Sequence, residues 1–355
     1  MPVNPCNPYP QIKCSMAEPL KNPKPLQPDK LPETIQGRKN EQKPLEKLNT
    51  ENTASQNLFV HGPRGTGKTH ITKHIIKDVN SKCYVSCTEN DTQYKALKQV
   101  LRELDENVGD GHHTSDLQRM LLEKTELMQT AIVLDDIDFL LLNDGDDLLY
   151  FLSRMKTSNN VDLVMISSNH TGLKPQLEER TYSSLHPRRI SFEPYTAEDA
   201  YQVLLERAQK ALVDQSLQKA ALTYISSTTQ NISIGLHWLK HAAETTDKVI
   251  TESHVKQVQQ KAYEKYTEQL LKPFTEHHQL LYQAIQELDA EKNTIKAGEI
   301  YTKYGGLCDT YSQNTLSKRR LSDFLKHLEL LDLIKAEYHY GGNKGKTREV
   351  TLKNL

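Results

Sequence analysis

Eight consecutive residues, from Gly62 to Thr69, match the pattern Gly-x-x-x-x-Gly-Lys-Ser/Thr at every fixed position. In such a loop the glycines let successive backbone N–H groups turn inward and contact phosphate oxygens. A helix that begins near Thr66 points its positive end at the same oxygens, and Lys68 reaches the outer phosphates. The Thr69 hydroxyl can be a ligand of Mg²⁺. We therefore predict a site for ATP and Mg²⁺, formed by Gly62, Gly65, Thr66, Gly67, Lys68, Thr69 and His70.

Polar side chains follow two later apolar runs. Asp135 ends the first run, 67 positions after Lys68, and a carboxylate at the end of a buried strand is where such folds hold Mg²⁺. Asp136 then occupies the position of a general base that polarises the attacking water. Asn169 follows the second run, 161–167, from which a polar side chain would face the γ-phosphate. The alternative interpretations are an ordinary charge at a strand end for Asp136 and a turn residue for Asn169.

Short apolar runs alternate with helical stretches and must position these side chains. The predicted strands are 57–61, 82–86, 130–135, 161–167 and 188–193. Strands separated by helices imply right-handed crossovers and a parallel sheet that is covered on both faces. After Pro194 the strand-like runs stop, and residues 196–268 read as helical.

The C-terminal part of the chain reads as three helices followed by a hairpin. The helical segments lie within residues 275–335. Two strand-like runs, 335–340 and 347–352, flank the turn Gly-Gly-Asn-Lys-Gly-Lys. This order of elements predicts a winged-helix domain.

Two groups of basic residues in this domain could contact DNA. Lys318 and Arg319 lead the first exposed turn of a helix whose apolar residues fall on one face, as in a recognition helix that enters the major groove. The glycine-rich turn allows close approach to a phosphate backbone or a minor groove. The predicted DNA contacts are Lys318, Arg319, Arg320, Lys344, Lys346 and Arg348. The alternative is a solvated basic turn on a winged helix that binds protein.

Length and composition exclude several classes of protein. A chain of 355 residues predicts two or three domains. A net charge of −1 argues against a wholly basic nucleic-acid coat and against an acid-rich disordered chain. No apolar run approaches the length of a membrane span, so we expect neither an integral membrane protein nor a membrane partner. The five scattered cysteines form no disulfide framework, which fits a reducing cytosol.

In combination, these motifs resemble a known family. The phosphate loop, LDDID at 134–138, SSN at 167–169 and the segment 180–208 are similar to those of initiator-clade AAA+ ATPases. The similarity is greater to archaeal proteins of the origin-recognition-complex-subunit-one and cell-division-cycle-six type, and it extends over about residues 28–355. The resemblance implies ATP-dependent recognition of replication origins and helicase loading. Its implied partners are double-stranded origin DNA, the replicative helicase and other initiator subunits, in the cytoplasm at the nucleoid.

The resemblance also implies a fold and a division of the chain. The fold class is α/β: an AAA+ P-loop core with a parallel sheet and a helical lid, followed by a C-terminal winged helix. Ten of the 15 prolines lie in residues 1–44, which favours a disordered beginning. The predicted segments are a Pro-rich disordered tail (1–27), the AAA+ core (28–194), the lid (195–270) and the winged helix (273–355).

Further single residues receive roles from the resemblance alone. Tyr195 and Arg207 match positions that the family uses around the bound nucleotide. Arg180 matches an arginine that such proteins present to the ATP of a neighbouring subunit. Arg188 and Arg189 compete for that role.

Two departures from the family pattern bear on hydrolysis. The chain has Asp135-Asp136 where the family has Asp-Glu, so the base is one methylene shorter. The lid segment Gln230–Ser233 lacks the arginine that the family uses to sense the γ-phosphate. These departures predict ATP binding with weak ATPase activity. They keep open a second function, a nucleotide-gated DNA-binding regulator that does not hydrolyse ATP. A third, an AAA+ remodeller or clamp-loader-like subunit, is disfavoured by the winged helix.

Overall fold

The computed structural model describes residues 18–32, 34–48, 55–126, 128–155, 161–168, 172–292, 294–340 and 346–353. Asn169, Lys344 and residues 1–17 of the predicted tail lie outside these ranges, so their predictions stay predictions. Within the described ranges, no helix has the length and apolar character needed to cross a membrane.

A five-stranded parallel sheet forms the centre of the N-terminal part of the chain. Its strands are β1 (Asn57–His61), β2 (Lys82–Ser86), β3 (Thr130–Asp135), β4 (Val161–Ser167) and β5 (Arg188–Ser191), in the spatial order β2-β3-β4-β1-β5. The five predicted strands and their parallel arrangement are confirmed, and the last strand is two residues shorter than predicted. Every residue of β1, β3 and β4 is buried, which explains why these strands read as continuous apolar runs.

Seven helices cover the sheet or extend from its edges in the described part of this region. They are α1 (Lys39–Leu45), α2 (Lys68–Ile76), α3 (Gln93–Glu103), α4 (Thr114–Thr125), α5 (Asp138–Asp144), α6 (Asp147–Met155) and α7 (Glu179–Leu185). Strand register decides where the polar ends meet. Ser86 of β2 pairs with Asp135 of β3, and His61 of β1 pairs with Ser167 of β4. The phosphate loop after β1 and the carboxylates after β3 therefore lie at the same edge of the sheet.

Four helices form the predicted lid. They are α8 (Ala197–Ala211), α9 (Lys219–Thr228), α10 (Ile232–Glu244) and α11 (Glu252–Leu271). Threonine side chains cap two of them: Thr196 accepts from the backbone N–H of Asp199, and Thr251 accepts from that of His254. Trp238 of α10 is fully buried at the centre of the lid.

The prediction of a disordered tail through residue 27 is wrong for residues 18–27. Leu20 forms a β-bridge with Leu212, and Leu26 is completely buried in the apolar core of the lid. The Pro-rich composition concealed this packing because two isolated leucines are enough to anchor a short strap across an existing apolar surface.

The C-terminal domain has the predicted winged-helix layout. Its elements are α12 (Glu276–Asp289), β6 (Ile295–Lys296), α13 (Ala297–Thr310), α14 (Lys318–Leu330), β7 (Ile334–Tyr340) and β8 (Lys346–Leu352). The short strand β6, which the sequence did not predict, pairs with β8 at the edge of an antiparallel sheet ordered β6-β8-β7. Leu281, Leu325 and Leu328 are fully buried in the core of this domain.

Helix α5 of the AAA+ core packs directly against the winged helix. Phe139 is almost fully buried in the core of the winged-helix domain, with its ring centroid 5.5 Å from Phe274 and 5.6 Å from His327. His327 Nε2 lies 3.3 Å from Asn143 Oδ1 at the end of α5. The segment that follows Asp136 thus contacts α14, the predicted recognition helix.

Candidate nucleotide site and recognition helix

The phosphate loop connects β1 to α2 and is closely packed on two sides, against the backbone after β5 and against Asn231 of the lid. Gly62 has φ 145°, and a Cβ there would lie 2.1 Å from the carbonyl oxygen of Phe192. Gly65 has φ 77°, and a Cβ there would lie 2.0 Å from Asn231 Oδ1 of the lid. Only glycine fits these two positions, because both the backbone conformation and the space exclude a side chain.

Lys68 lies at the centre of the loop. Its Nζ donates to the carbonyl oxygens of Gly62 at 2.6 Å and Pro63 at 2.7 Å. Burial, followed by the neighbouring charge of Arg64, lowers the pKa of Lys68 to about 8. Phosphate oxygens in the loop would favour the charged form of this amine.

Thr69 and Asp135 form a cluster of oxygen ligands at the C-terminal edge of the sheet. The Thr69 hydroxyl donates to Asp135 Oδ2 at 2.9 Å, and the Tyr84 hydroxyl donates to the same oxygen at 2.5 Å. Burial and the adjacent charge of Asp136 raise the pKa of Asp135. A hydroxyl beside a carboxylate is a donor set that fits Mg²⁺, which prefers one or two protein oxygens together with phosphate oxygens. Tyr84, the middle residue of β2, was missed because nothing in its local sequence marks its hydroxyl as a partner of Asp135.

Asp136 immediately follows β3 in the left-handed backbone region, with φ 51°. Its carboxylate accepts from Arg64 Nη2 at 3.3 Å and remains one-quarter exposed. Burial by itself would lower the pKa of the Arg64 guanidinium, but the surrounding acidic groups, led by Asp136, raise it. The loop pattern assigns no role to Arg64, because this residue occupies one of its variable positions.

Asp138 is a second residue that the motif reasoning missed. It is almost fully buried, and it accepts from the Ser167 hydroxyl at 2.9 Å and from the backbone N–H of Ser168 at 3.2 Å. Burial raises the pKa of its carboxyl. Asp138 thereby holds the end of β4, where Ser168 lines the nucleotide cavity, against the start of α5.

A cavity of about 390 Å³ extends from the phosphate loop to the lid and to residues between Pro28 and Gln36, which follow the N-terminal strap. His70, Tyr195 and Arg207 all line it. Arg207 donates to the carbonyl oxygen of Lys30 at 2.9 Å, and the Arg38 guanidinium lies 4.2 Å from the centre of the Tyr195 ring. The structure therefore brings the residues predicted around the nucleotide to one cavity.

His70 contributes a neutral imidazole to this cavity. Burial, together with the charge of Arg207, lowers the pKa of His70 to about 4. Its Nε2 atom is buried and has no hydrogen-bond partner among the described residues. This nitrogen is available to a ligand in the cavity.

The lid reaches the phosphate loop at the start of α10. Asn231 caps this helix by accepting from the backbone N–H of Ser233 at 3.0 Å, and the N–H of Ile232 donates to the carbonyl oxygen of Gly65 at 3.3 Å. Ser233 lines the cavity at the position where the family pattern has an arginine. At this position the cavity wall therefore has a serine hydroxyl in place of a guanidinium.

Arg180 lies on α7, outside the cavity of its own chain. It is more than half exposed and pairs with Glu178 at 2.7 Å and Asp147 at 3.6 Å. Arg188 and Arg189 are exposed on β5. A role toward the ATP of a neighbouring subunit stays a prediction for all three.

The N-terminal turn of α14 presents three adjacent cations. Lys318, Arg319 and Arg320 are all exposed, and no acidic residue lies in this first turn. The Ser317 hydroxyl caps the helix by accepting from the backbone N–H of Arg320 at 3.4 Å. Leu321, on the opposite face, is buried and fixes the orientation of the turn.

The prediction that Arg348 contacts DNA is wrong. Arg348 is only 7% exposed, and its guanidinium pairs with Glu329 at 3.3 Å and donates to the carbonyl oxygen of Ser322 at 3.1 Å. It also lies 5.3 Å from the centre of the Tyr338 ring. Arg348 therefore ties the hairpin to α14 inside the domain. Of Lys346, the structure describes the backbone pairing in β8.

Comparison with known proteins matches both parts of the chain. The AAA domain family matches residues 52–174, and the family described as CDC6, C terminal winged helix domain, matches residues 269–354. The solved structure of the Aeropyrum pernix ORC1 protein in complex with DNA has the same fold, with a TM-score of 0.75 at 24% identity, over 95% of this chain and 94% of that chain. Cdc6p from Pyrobaculum aerophilum matches with a TM-score of 0.61 at 17% identity, over 94% of each chain.

Sequence relatives extend through both domains. The ORC1-type DNA replication protein 1 of Sulfurisphaera tokodaii is 28% identical over 351 residues, which are 92% of this chain and 88% of that protein. The ORC1-type DNA replication protein of Thermococcus kodakarensis is 30% identical over 325 residues, which are 83% of this chain and 78% of that protein. The resemblance inferred from the motifs is confirmed: the chain belongs to the family of ORC1-type DNA replication proteins.

Proposed function

We propose that this protein binds duplex DNA at replication origins under the control of ATP and Mg²⁺, and that it takes part in or regulates replication initiation and helicase loading. The observation that carries the proposal is the exposed cationic turn of α14, Lys318 to Arg320, in a helix whose last residue, Leu330, contacts Arg64 of the phosphate loop. Cations that lead a helix meet the phosphates and base edges of a major groove.

In this proposal the nucleotide occupies the cavity between core and lid. Lys68 and the loop N–H groups bind its phosphates, and Tyr195, Arg207 and His70 surround the remainder. Thr69 and Asp135 would hold Mg²⁺, which neutralises charge on the phosphates when it is bound. Asp136 is the group placed to orient the attacking water.

The same proposal includes further macromolecular partners. The exposed Arg180 would face the nucleotide of a neighbouring initiator subunit, and the replicative helicase is the other expected partner. The site of action is the nucleoid in the cytoplasm. The functional domain limits are the core at 28–194, the lid at 195–270 and the winged helix at 273–355, with the strap from residue 18 packed on the lid.

DNA affinity of the double variant Lys318→Ala, Arg319→Ala tests the proposal. Each phosphate contact contributes about −0.9 to the slope of log K against log salt concentration, so the slope flattens by about 0.9 if Lys318 alone contacts a phosphate and by about 1.8 if Arg319 does so too. If Arg319 contacts a base, its loss also reduces the difference in binding free energy between selected genomic duplexes and random duplexes by about 1–3 kcal/mol. Fluorescence anisotropy with labelled duplexes at several salt concentrations measures both effects.

The matched control removes an exposed cation elsewhere. Lys256→Ala on α11 of the lid, where Lys256 pairs with Glu252, should leave the slope and the affinity at wild-type values. Wild-type salt dependence in the double variant would refute the assignment of α14 as the DNA-binding element.

A second function, a nucleotide-gated DNA-binding regulator that stays loaded, is favoured by Asp136 and Ser233 together. The Asp136 side chain is shorter than that of glutamate, and its carboxylate pairs with Arg64. Position 233, where the family pattern has an arginine, holds a serine that cannot supply a positive charge to the γ-phosphate. We therefore expect wild-type hydrolysis at or below one turnover over minutes. Asp136→Glu should accelerate it, because the longer side chain reaches further toward the water.

Single-turnover hydrolysis of radiolabelled ATP measures this prediction. Asp136→Asn is the control, since it keeps the side-chain length but removes the base, and it should lose the residual activity. A rapid wild-type rate that is unchanged in Asp136→Glu would show that Asp136 is not the base.

A further inference from the structure

Arg64 is a buried residue of the phosphate loop that contacts both functional ends of the molecule. Its Nη2 donates to Asp136 Oδ1 at 3.3 Å, and its Nε donates to the carbonyl oxygen of Leu330 at 3.2 Å. Leu330 is the last residue of α14, whose first turn carries the exposed cations. One side chain thus joins the phosphate loop, the proposed base and the recognition helix.

The contact with Leu330 has a physical basis in the end of a helix. The last carbonyl groups of an α-helix have no intrahelical donor and lie at its negative end, so a guanidinium there is favourable. Only 14% of the Arg64 side chain is exposed, which means that water screens this contact weakly. Loss of the contact would leave polar groups unpaired in a mostly buried interface.

The contact with Asp136 makes the position of Arg64 sensitive to a bound nucleotide. Arg64 lies four residues before Lys68 in the loop and is close enough for its charge to affect that amine. Phosphate oxygens bound in the loop would compete with Asp136 and with the Leu330 carbonyl for the guanidinium. Binding or release of the nucleotide would therefore change the strength of the contact between Arg64 and the C-terminal end of α14.

The neighbouring contacts allow such a change to reach the whole helix. Phe139 and Asn143 of α5 contact His327 of α14, one turn before Leu330. Because α14 is a continuous helix, displacement of its C-terminal end also moves the cationic turn at its other end.

We propose that Arg64 is a positioning residue that couples the nucleotide site to the recognition helix, so that nucleotide and duplex DNA alter each other's affinity through it. This inference rests on the proposed function, since it requires both ligands. Coupling between two binding sites is reciprocal: DNA must change nucleotide affinity by the same factor by which nucleotide changes DNA affinity.

The experiment measures this coupling factor in the full-length protein. A non-hydrolysable ATP analogue with Mg²⁺ is titrated with and without saturating random-sequence duplex, and the duplex is titrated with and without the analogue. We expect a factor of about five or more in the wild type, equal in both directions. In Arg64→Met the coupling factor should fall below about two. The factor is a ratio of two Kd values of the same variant, so a loss of affinity that affects both values equally does not change it.

Two further variants separate coupling from charge and from folding. Arg64→Lys keeps the positive charge, but its single ammonium lacks the planar fork that meets two acceptors, so it should also lose the coupling. Arg102→Met removes an exposed arginine of α3 and should retain the wild-type factor.

The outcomes distinguish this inference from the proposed function. A wild-type protein that binds neither the analogue nor the duplex overturns both. A wild type that binds both ligands with a factor near one, or Arg64 variants that keep the wild-type factor, overturns the inference alone. A wild-type factor retained in Arg64→Lys but lost in Arg64→Met also overturns it, because charge rather than bridging would then carry the effect.

Discussion

Replacement of Lys68 by alanine is expected to abolish the stabilisation of the protein by ATP and Mg²⁺. Lys68 Nζ is held at the centre of the loop by the carbonyl oxygens of Gly62 and Pro63, where it is the main cation for the outer phosphates. A ligand at about 100 times its Kd stabilises a folded protein by about 2.7 kcal/mol. For domains of this size that corresponds to a rise in Tm of roughly 5–10 °C.

Thermal melts with and without ATP measure the effect in three proteins. The wild type and Lys77→Ala, which removes an exposed lysine after α2, should show the full rise. Lys68→Ala should show none. The ligand-free variant should remain folded, because burial disfavours the charged form of Lys68 and lowers its pKa, so removal of the charge relieves a desolvation cost. An equal rise in Lys68→Ala and in the wild type would refute the nucleotide site.

Arg348→Met is expected to destabilise the winged helix by about 1.5–3 kcal/mol, the usual range for hydrogen bonds that involve a charged group. The substitution removes the links to Glu329 and to the carbonyl oxygen of Ser322, and methionine cannot satisfy either acceptor. Urea unfolding of the full chain, followed by circular dichroism, measures the change in the free energy of unfolding.

The control for Arg348 is Lys335→Met, which removes a cation that is mostly exposed on β7 and should alter stability by at most about 0.5 kcal/mol. If Arg348 contacted a DNA phosphate instead, its replacement would affect DNA binding and not stability. If Arg348→Met kept wild-type stability and flattened the salt dependence of DNA binding by about 0.9, the structural role assigned to Arg348 would be wrong.

Local patterns predicted much of the fold and part of the site. The strands β1, β3 and β4 could be found because both faces of a parallel sheet are buried, which leaves continuous apolar runs in the sequence. The loop pattern then identified Lys68 and Thr69, and the strand end identified Asp135, because each lies a fixed short distance from an element boundary.

Arg64 could not be predicted in this way. Its partner Leu330 lies 266 positions away along the chain, and the contact is made to a backbone oxygen that has no residue-type signature. Such a contact depends on how two domains pack, and a pattern within one segment carries no information about that packing.

Arg348 was misassigned although a usable signal was present. Side chains two positions apart share one face of a strand, and Val350 is fully buried. The alternation along β8 therefore places Arg348 on the buried face. The positive charge near a glycine-rich turn suggests a DNA contact, but the period of two along the strand is the stronger indicator of where Arg348 lies.

The N-terminal strap has a mechanical consequence for the lid. The chain crosses between lid and core twice, once through the strap and once at Tyr195, and the two crossings touch: Arg38 stacks on the Tyr195 ring and donates to the carbonyl oxygen of Glu193. Because the two connections lie side by side, they can act as a single hinge about which the lid rotates relative to the core. In such a motion the start of α10 would separate from the phosphate loop, where the N–H of Ile232 donates to the carbonyl oxygen of Gly65.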